Sequence, residues 1–246
     1  MGAWDPESRV ELKYQLDRPQ YLRIRDGLAP VMRRDSFTLA AQEQGYPGYH
    51  VKSLYYDSDD FSLYGEKLAG DSERRKLRVR AYPLNPAAPV RAELKTRQAA
   101  RVIKKAAPVS WARYRAFQSV GLWGAQEPVL LEFDRFVCAQ ALRPQVLVSY
   151  YREGYSTREP GDLRVTFDHA VQSVQAKSLL DDPVGYRRHD PRGVVMEIKF
   201  GESYPAWLRT MVWQYGLRAV SNSKYAQAVL VSINRFYSPD HVVVIR

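Results

Sequence analysis

Three Glu-apolar-Lys triplets stand out among the residues that could do chemistry: Glu11-Leu12-Lys13, Glu93-Leu94-Lys95 and Glu197-Ile198-Lys199. In an extended strand, residues i and i+2 share a face, so each triplet sets an acid beside a base. Arg78 and Arg80 in Lys76-Leu77-Arg78-Val79-Arg80, and Arg164 in Leu163-Arg164-Val165, add cations with the same alternation. Two chemistries are open to such a face. It can be a solvated sheet surface laced with cross-strand ion pairs, each worth only about 0.2–1 kcal/mol. If the sheet instead closes around it, the excess of cations needs an anionic ligand. Glutamates in the same lumen then become hard oxygen ligands for Mg²⁺ or Mn²⁺ bridging that ligand's phosphates.

The alternation also names the elements that must carry these residues. Val10, Leu12, Tyr14 and Leu16 alternate with Arg9, Glu11, Lys13 and Gln15, which is a strand from Arg9 to Leu16 with one apolar and one charged face. The pattern recurs in Lys76–Tyr82, Val90–Thr96, Leu163–Asp168 and Val194–Lys199, and Leu131 and Phe133 opposed to Glu132 and Asp134 read as another strand. Val51–Asp57 and Val146–Arg152 are strands whose facing the pattern leaves open. Eight strands make a sheet large enough to curl or close. Helices are expected at Arg18–Arg33, after Asp57 or Ser58, at Trp111–Val120 between a Ser110 cap and a Gly121 stop, and after Pro205. A final helix is expected from Ser221 or Ser223 to Phe236. Ser223 and Lys224 would then stand at a helix start, where unpaired N–H groups favour a phosphate. No loop has the length or composition of a linker, so a single domain over 1–246 is expected.

With 37 Lys+Arg against 27 Asp+Glu, the net charge of +10 points to an anionic partner: nucleic acid, a membrane surface or a phosphorylated molecule. The 45% hydrophobic content is that of a globular chain, and no stretch approaches the roughly 18 apolar residues of a membrane span. Neither an export signal nor a myristoylation signal is read at Met1–Pro6, so a cytoplasmic protein is expected. The lone Cys138 and the scattered His50, His169, His189 and His241 exclude a disulfide scaffold and a structural zinc site. GxxxxGK[ST], GxGxxG and GxSxG are all absent, which removes P-loop, Rossmann and serine-hydrolase chemistry. No run interleaves aromatic with basic residues in the manner of an RNA-binding sheet, so nucleic acid is not expected as a partner.

The ordered set Glu11-Leu12-Lys13-Tyr14, Ser53-Leu54-Tyr55-Tyr56-Asp57, Lys76-Leu77-Arg78-Val79-Arg80, Glu93-Leu94-Lys95, Glu197-Ile198-Lys199 and Ser223-Lys224-Tyr225 resembles the VTC-type polyphosphate polymerase domain, a branch of the triphosphate tunnel metalloenzymes. The resemblance implies an α+β fold: an eight-stranded antiparallel β-tunnel, closed as a barrel and flanked by helices. Basic residues line it and hold a triphosphate or phosphate chain with Mn²⁺ or Mg²⁺. Lys13, Arg78, Arg80 and Lys95 resemble the phosphate-gripping residues of the first half, and Arg152 and Arg164 those of the second. Glu197 resembles the metal-binding glutamate with Lys199 beside it, and Lys104 or Lys105 resembles a further tunnel lysine. Glu11, Glu93 and Glu132 complete the metal candidates, and Ser223 and Lys224 the substrate-binding ones. Tunnel hydrolases typically begin with ExExK, whereas Arg9 stands at the first acidic position here and leaves Glu11 alone, which leans away from the tripolyphosphatase and thiamine-triphosphatase branch. Ser221-Asn222 stands where the eukaryotic polymerase pattern has a lysine before the Ser-Lys pair. The expected activity moves the terminal phosphate of a nucleoside triphosphate onto polyphosphate. Hydrolysis of tripolyphosphate or a nucleoside triphosphate, and non-catalytic polyphosphate binding, are the alternatives. A membrane-protein partner is compatible with either.

Overall fold

The computed structural model describes residues 10–98, 101–158, 161–201 and 204–233. Arg9 and the expected helix end at Phe236 lie outside them. In chain order, the first half contains β1 (Val10–Leu16), α1 (Arg18–Leu28), β2 (Met32–Arg34), α2 (Ser36–Glu43), β3 (Tyr49–Asp57), α3 (Ser62–Ala69), β4 (Glu73–Ala81), β5 (Val90–Gln98) and β6 (Arg101–Val109). Then follow α4 (Trp111–Val120), α5 (Pro128–Ala139), β7 (Arg143–Thr157), β8 (Arg164–Gln175), β9 (Arg187–Arg188), β10 (Val194–Phe200), α6 (Ala206–Gln214) and α7 (Lys224–Ile233). Among the described residues, no helix is long and apolar enough to cross a membrane.

The strands run β1-β10-β8-β7-β3-β4-β5-β6, with β2 on β7 and β9 on β8. The class is α+β, an antiparallel sheet with flanking helices, but the expected closed barrel is corrected: the strand path is open, with β1 and β6 at its ends. Alternation dictates which face of each strand is polar, whereas closure depends on tilt and stagger summed over all strands. A second correction concerns Leu131–Asp134, which lies in α5. Pro128 opens that helix, and Leu130 and Phe133 are buried at helical spacing. The eighth strand on the path is instead β6. A third concerns Arg18–Arg33, which breaks at Leu28: Pro30 lacks the amide a continuing helix needs, and Met32–Arg34 pairs with β7 as β2. Trp111–Val120 is the helix expected, capped by Ser110 and stopped by Gly121 in the left-handed region, φ 82°.

The chain forms two compact units. Among the described residues, the first comprises 10–50, 150–158, 161–171, 190–201 and 204–223; the second comprises 51–98, 101–149, 172–189 and 224–233. In the first, Tyr14, Leu16, Val165, Phe167, Met196 and Ile198 bury the apolar face of the sheet against Ile24 and Leu28 of α1 and Leu208 of α6. In the second, Leu54, Leu77, Val79, Ala92 and Leu94 pack on Tyr114 and Phe117 of α4 and on Leu130 and Phe133 of α5. Each such aliphatic or aromatic side chain contributes about 1.5–3 kcal/mol when fully buried. The opposite faces are left to the charged residues.

Candidate functional site

In the second unit, β3, β4, β5 and β6 bring their polar positions into cross-strand rows: Ser53 opposite Arg80, Tyr55 opposite Arg78, Arg78 opposite Glu93, and Lys76, Lys95 and Lys104 in line. Directly opposed antiparallel residues share a face. Arg80 is only 8% exposed, and its Nε donates to Ser53 Oγ at 3.1 Å. Arg78 donates from Nε to Glu93 Oε2 at 2.7 Å and from Nη1 to the Tyr55 hydroxyl at 2.8 Å. Lys104 Nζ donates to the other Glu93 oxygen at 3.1 Å. Burial alone would raise the Glu93 pKa, but Arg78, Arg80 and Lys104 outweigh it and hold the carboxyl well below the usual carboxylate range. The same opposition acts on Tyr55: burial raises it, yet Arg78, Arg80 and Lys224 leave it lowered overall. Glu93 is thus an anion set among the predicted cations Arg78, Arg80, Lys95 and Lys104.

Lys105 and Glu132 are not part of this face. Neighbouring strand residues point to opposite sides, so Lys105 turns to the helix-covered face, and its Nζ lies 2.7 Å from Glu132 on α5. The two residues neutralise each other there. Lys224 lies in the first turn of α7 and is 8% exposed, with Ser223 just before the helix. Tyr225 stacks on Tyr55, ring centroids 5.2 Å apart, and its hydroxyl donates to Asp57. Asp57 also accepts from the backbone N–H groups of Leu63 and Tyr64 at 2.9 and 3.0 Å, so it holds the start of α3 and the start of α7 together. The Ser53–Asp57 and Ser223–Tyr225 motifs therefore meet at Tyr55, Asp57 and Tyr225.

In the first unit, β1, β10 and β8 set Glu11, Lys199 and Arg164 in one row and Lys13, Glu197 and Thr166 in the next. Lys13 Nζ lies 2.9 Å from Glu11 and 4.0 Å from Glu197, and it donates to the Asn222 carbonyl at 2.9 Å. Lys199 Nζ lies 3.5 Å from Glu197. Arg152 of β7, 8% exposed, makes a two-pronged bond to the fully buried Asp168, Nε to Oδ1 at 2.5 Å and Nη2 to Oδ2 at 2.7 Å. Its Nη2 also reaches Glu197 at 3.2 Å. The strand's facing is thereby settled, and Arg152 joins the polar face. Arg164 donates to Asp35 Oδ2 at 2.8 Å and to the Tyr49 hydroxyl at 3.1 Å. Sequence reasoning gave no site role to Asp168, Asp35, Ser53, Tyr55 or Tyr49. Ser53 and Tyr55 stood within the Ser53-Leu54-Tyr55-Tyr56-Asp57 motif and Asp168 shared the parity of Arg164 and Thr166, whereas Asp35 and Tyr49 carried no such signal.

Among the described residues, no three Asp, Glu, His or Cys side chains converge as a metal cage. The donor set fits the other arrangement of Mg²⁺ and Mn²⁺, in which one or two carboxylates and the oxygens of a substrate phosphate share the ion. Glu197 and Glu11, both reached by Lys13, are the carboxylates that would do so.

Two buried arginines, Arg80 and Arg152, thus each lie on the polar face of an antiparallel sheet among further cations and carboxylates. The chain belongs to the VTC-domain family, whose model matches residues 8–233. The crystal structure of a Bacillus halodurans protein, provisionally named an adenylate cyclase, is similar over 88% of this chain and 94% of its own, at 14% identity and a TM-score of 0.53. That likeness is one of fold. A Vibrio parahaemolyticus protein with the same provisional name covers 91% of this chain and 98% of its own at 14% identity, with a TM-score of 0.49. No curated protein matches the chain.

Proposed function

We propose that the protein is a metal-dependent phosphotransferase that moves the terminal phosphoryl group of a nucleoside triphosphate onto a polyphosphate chain. The observation that carries this reading is the charge imbalance of the second unit's polar face. There Arg78, Arg80, Lys95 and Lys104 stand with Glu93 as the carboxylate between them. Such a face attracts several linked phosphates far better than one. The first unit's set is different in kind: Lys13, Arg152, Arg164 and Lys199 are matched by Glu11, Asp168, Asp35 and Glu197. Carboxylates in that number suit phosphates that arrive with a hard cation. Mg²⁺ or Mn²⁺, when bound, would neutralise charge on the transferring phosphate, with Glu197 and Glu11 as its protein ligands.

In the transfer, a terminal oxygen of the chain forms a bond to the γ-phosphorus, and the bond from that phosphorus to the bridging oxygen breaks. The nucleoside diphosphate leaves with the electron pair. Within the second unit Arg78 and Arg80, and within the first Arg152 and Arg164, would each disperse charge on the phosphate oxygens that reach their own face, and their guanidinium groups are already oriented by Glu93, Ser53, Asp168 and Asp35 before substrate arrives. The test is incubation of the purified protein with ATP and Mn²⁺ or Mg²⁺, resolving orthophosphate from long polyphosphate. Polyphosphate with stoichiometric nucleoside diphosphate is expected. Orthophosphate alone would make water the acceptor, and tight polyphosphate binding without turnover would leave a binding module.

A further inference from the structure

Helix α2 has its large apolar side chains on the wrong side for a helix that packs on a sheet. An amphipathic helix turns them toward the core. Here Phe37 is 54% exposed and Leu39 47% exposed, while the buried residues are Thr38 and Ala41. Thr38 faces inward because its hydroxyl accepts the Gly154 N–H at 2.7 Å, and Asp35 caps the helix by accepting from the Thr38 N–H at 2.8 Å. With those two bonds made, Phe37 stays outside. Its ring nevertheless has a defined neighbour: Tyr49, with centroids 5.7 Å apart and planes at 52°. The Tyr49 hydroxyl accepts from Arg164 Nη2 at 3.1 Å, and Arg164, its side chain 44% exposed, is steadied by Asp35. An apolar ring open to solvent, a second ring and a partly exposed guanidinium therefore follow one another within the first unit.

We propose that Phe37, set against Tyr49 and beside Arg164, seats the nucleobase of the donor nucleoside triphosphate. The occupant follows from the order of the groups: a flat apolar surface for a base lies next to a cation for the phosphates attached to it. This inference rests on the reading of the protein as a nucleoside triphosphate user. It adds that the base is held by stacking on the Phe37 ring, a contact that every purine can make, so purine triphosphates should be accepted with little discrimination.

The test measures binding of ATP and of inorganic tripolyphosphate to the wild-type protein, Phe37→Ala and Phe37→Tyr by calorimetry, with sedimentation of all three. Phe37→Ala should weaken ATP by about fivefold to 150-fold, the range of base–aromatic stacking, leave tripolyphosphate unchanged, and be rescued by Phe37→Tyr. Unchanged ATP affinity in Phe37→Ala overturns the base seat and leaves the phosphate reading standing. So does an equal loss for both ligands. A Phe37→Ala protein that differs from wild type only in sedimentation overturns it in favour of a contact between copies. Wild-type protein that binds neither ligand refutes the phosphate reading itself, and the base seat with it.

Discussion

Glu93→Gln keeps the side chain's shape and removes the charge that faces Arg78 at 2.7 Å and Lys104 at 3.1 Å. Removing one partner of a buried ion pair costs roughly 3–5 kcal/mol, because the other charge is left uncompensated. The low end applies here, since the Lys104 side chain is 48% exposed and Arg78 keeps the Tyr55 hydroxyl at 2.8 Å. A loss of about 3 kcal/mol in a chain of this length lowers the melting temperature by roughly 6–12 °C. A phosphate chain supplies the negative charge that the variant lacks, so tripolyphosphate should raise the melting temperature of Glu93→Gln by more than that of the wild type.

The pH dependence carries a definite sign. Burial raises the Glu93 pKa, but the cations lower it by more, so the folded value lies below the unfolded one of about 4.3. The carboxylate therefore stabilises the protein above the unfolded pKa, and that contribution is lost as pH falls through the folded value. Wild type and variant should differ most near neutrality and converge in acid. Thermal melting followed by circular dichroism, with and without tripolyphosphate, reads both effects. A variant melting within about 1 °C of wild type, the scale of a solvent-exposed pair, would refute the placement of Glu93 among the cations. Equal stabilisation of both proteins by ligand would refute the idea that phosphate takes over its charge.

The Lys104 ammonium is lowered to about 8, first by partial desolvation and then by Arg78 and Arg80, against Glu93, which raises it. Its charge in the free protein is lost as pH rises through that value, so tripolyphosphate affinity should fall several-fold between about pH 7 and about pH 9, and Lys104→Met should flatten the profile; titration calorimetry across that range checks it. Arg80→Ala should weaken tripolyphosphate by at least about tenfold, the loss of one charge-assisted contact, while melting within a few degrees of wild type. Val79→Asp, one residue away on the helix-covered face and 0% exposed, should fail to fold, because it buries an unpaired charge. Binding that survives Arg80→Ala, or a soluble folded Val79→Asp, would reverse the assigned facing of β4.

The facing of most site residues was decided within single strands. Leu77 and Val79 opposite Arg78 and Arg80, or Met196 and Ile198 opposite Glu197 and Lys199, need only the two-residue repeat of an extended chain, and the structure keeps each set on its expected face. The Trp111–Val120 helix was equally local, because its cap and its glycine stop lie at its own ends. Four-residue runs are a different matter. Leu131 to Asp134 satisfies the strand pattern over too short a span to exclude a helix, and Pro128 with Leu130 and Phe133 makes it α5, which carries Glu132 away to Lys105. Lys104 and Lys105 could not be told apart until β6 was paired with β5, since pairing, not composition, sets which of two neighbours faces the cations. The partners that orient the arginines lie still further out of sequence reach: Asp168 for Arg152 comes from another strand, and Asp35 for Arg164 from a helix cap 129 positions away. Alternation along one chain segment determines side, but orientation of a guanidinium and closure of a sheet depend on contacts between segments, and those exist only after the chain has folded.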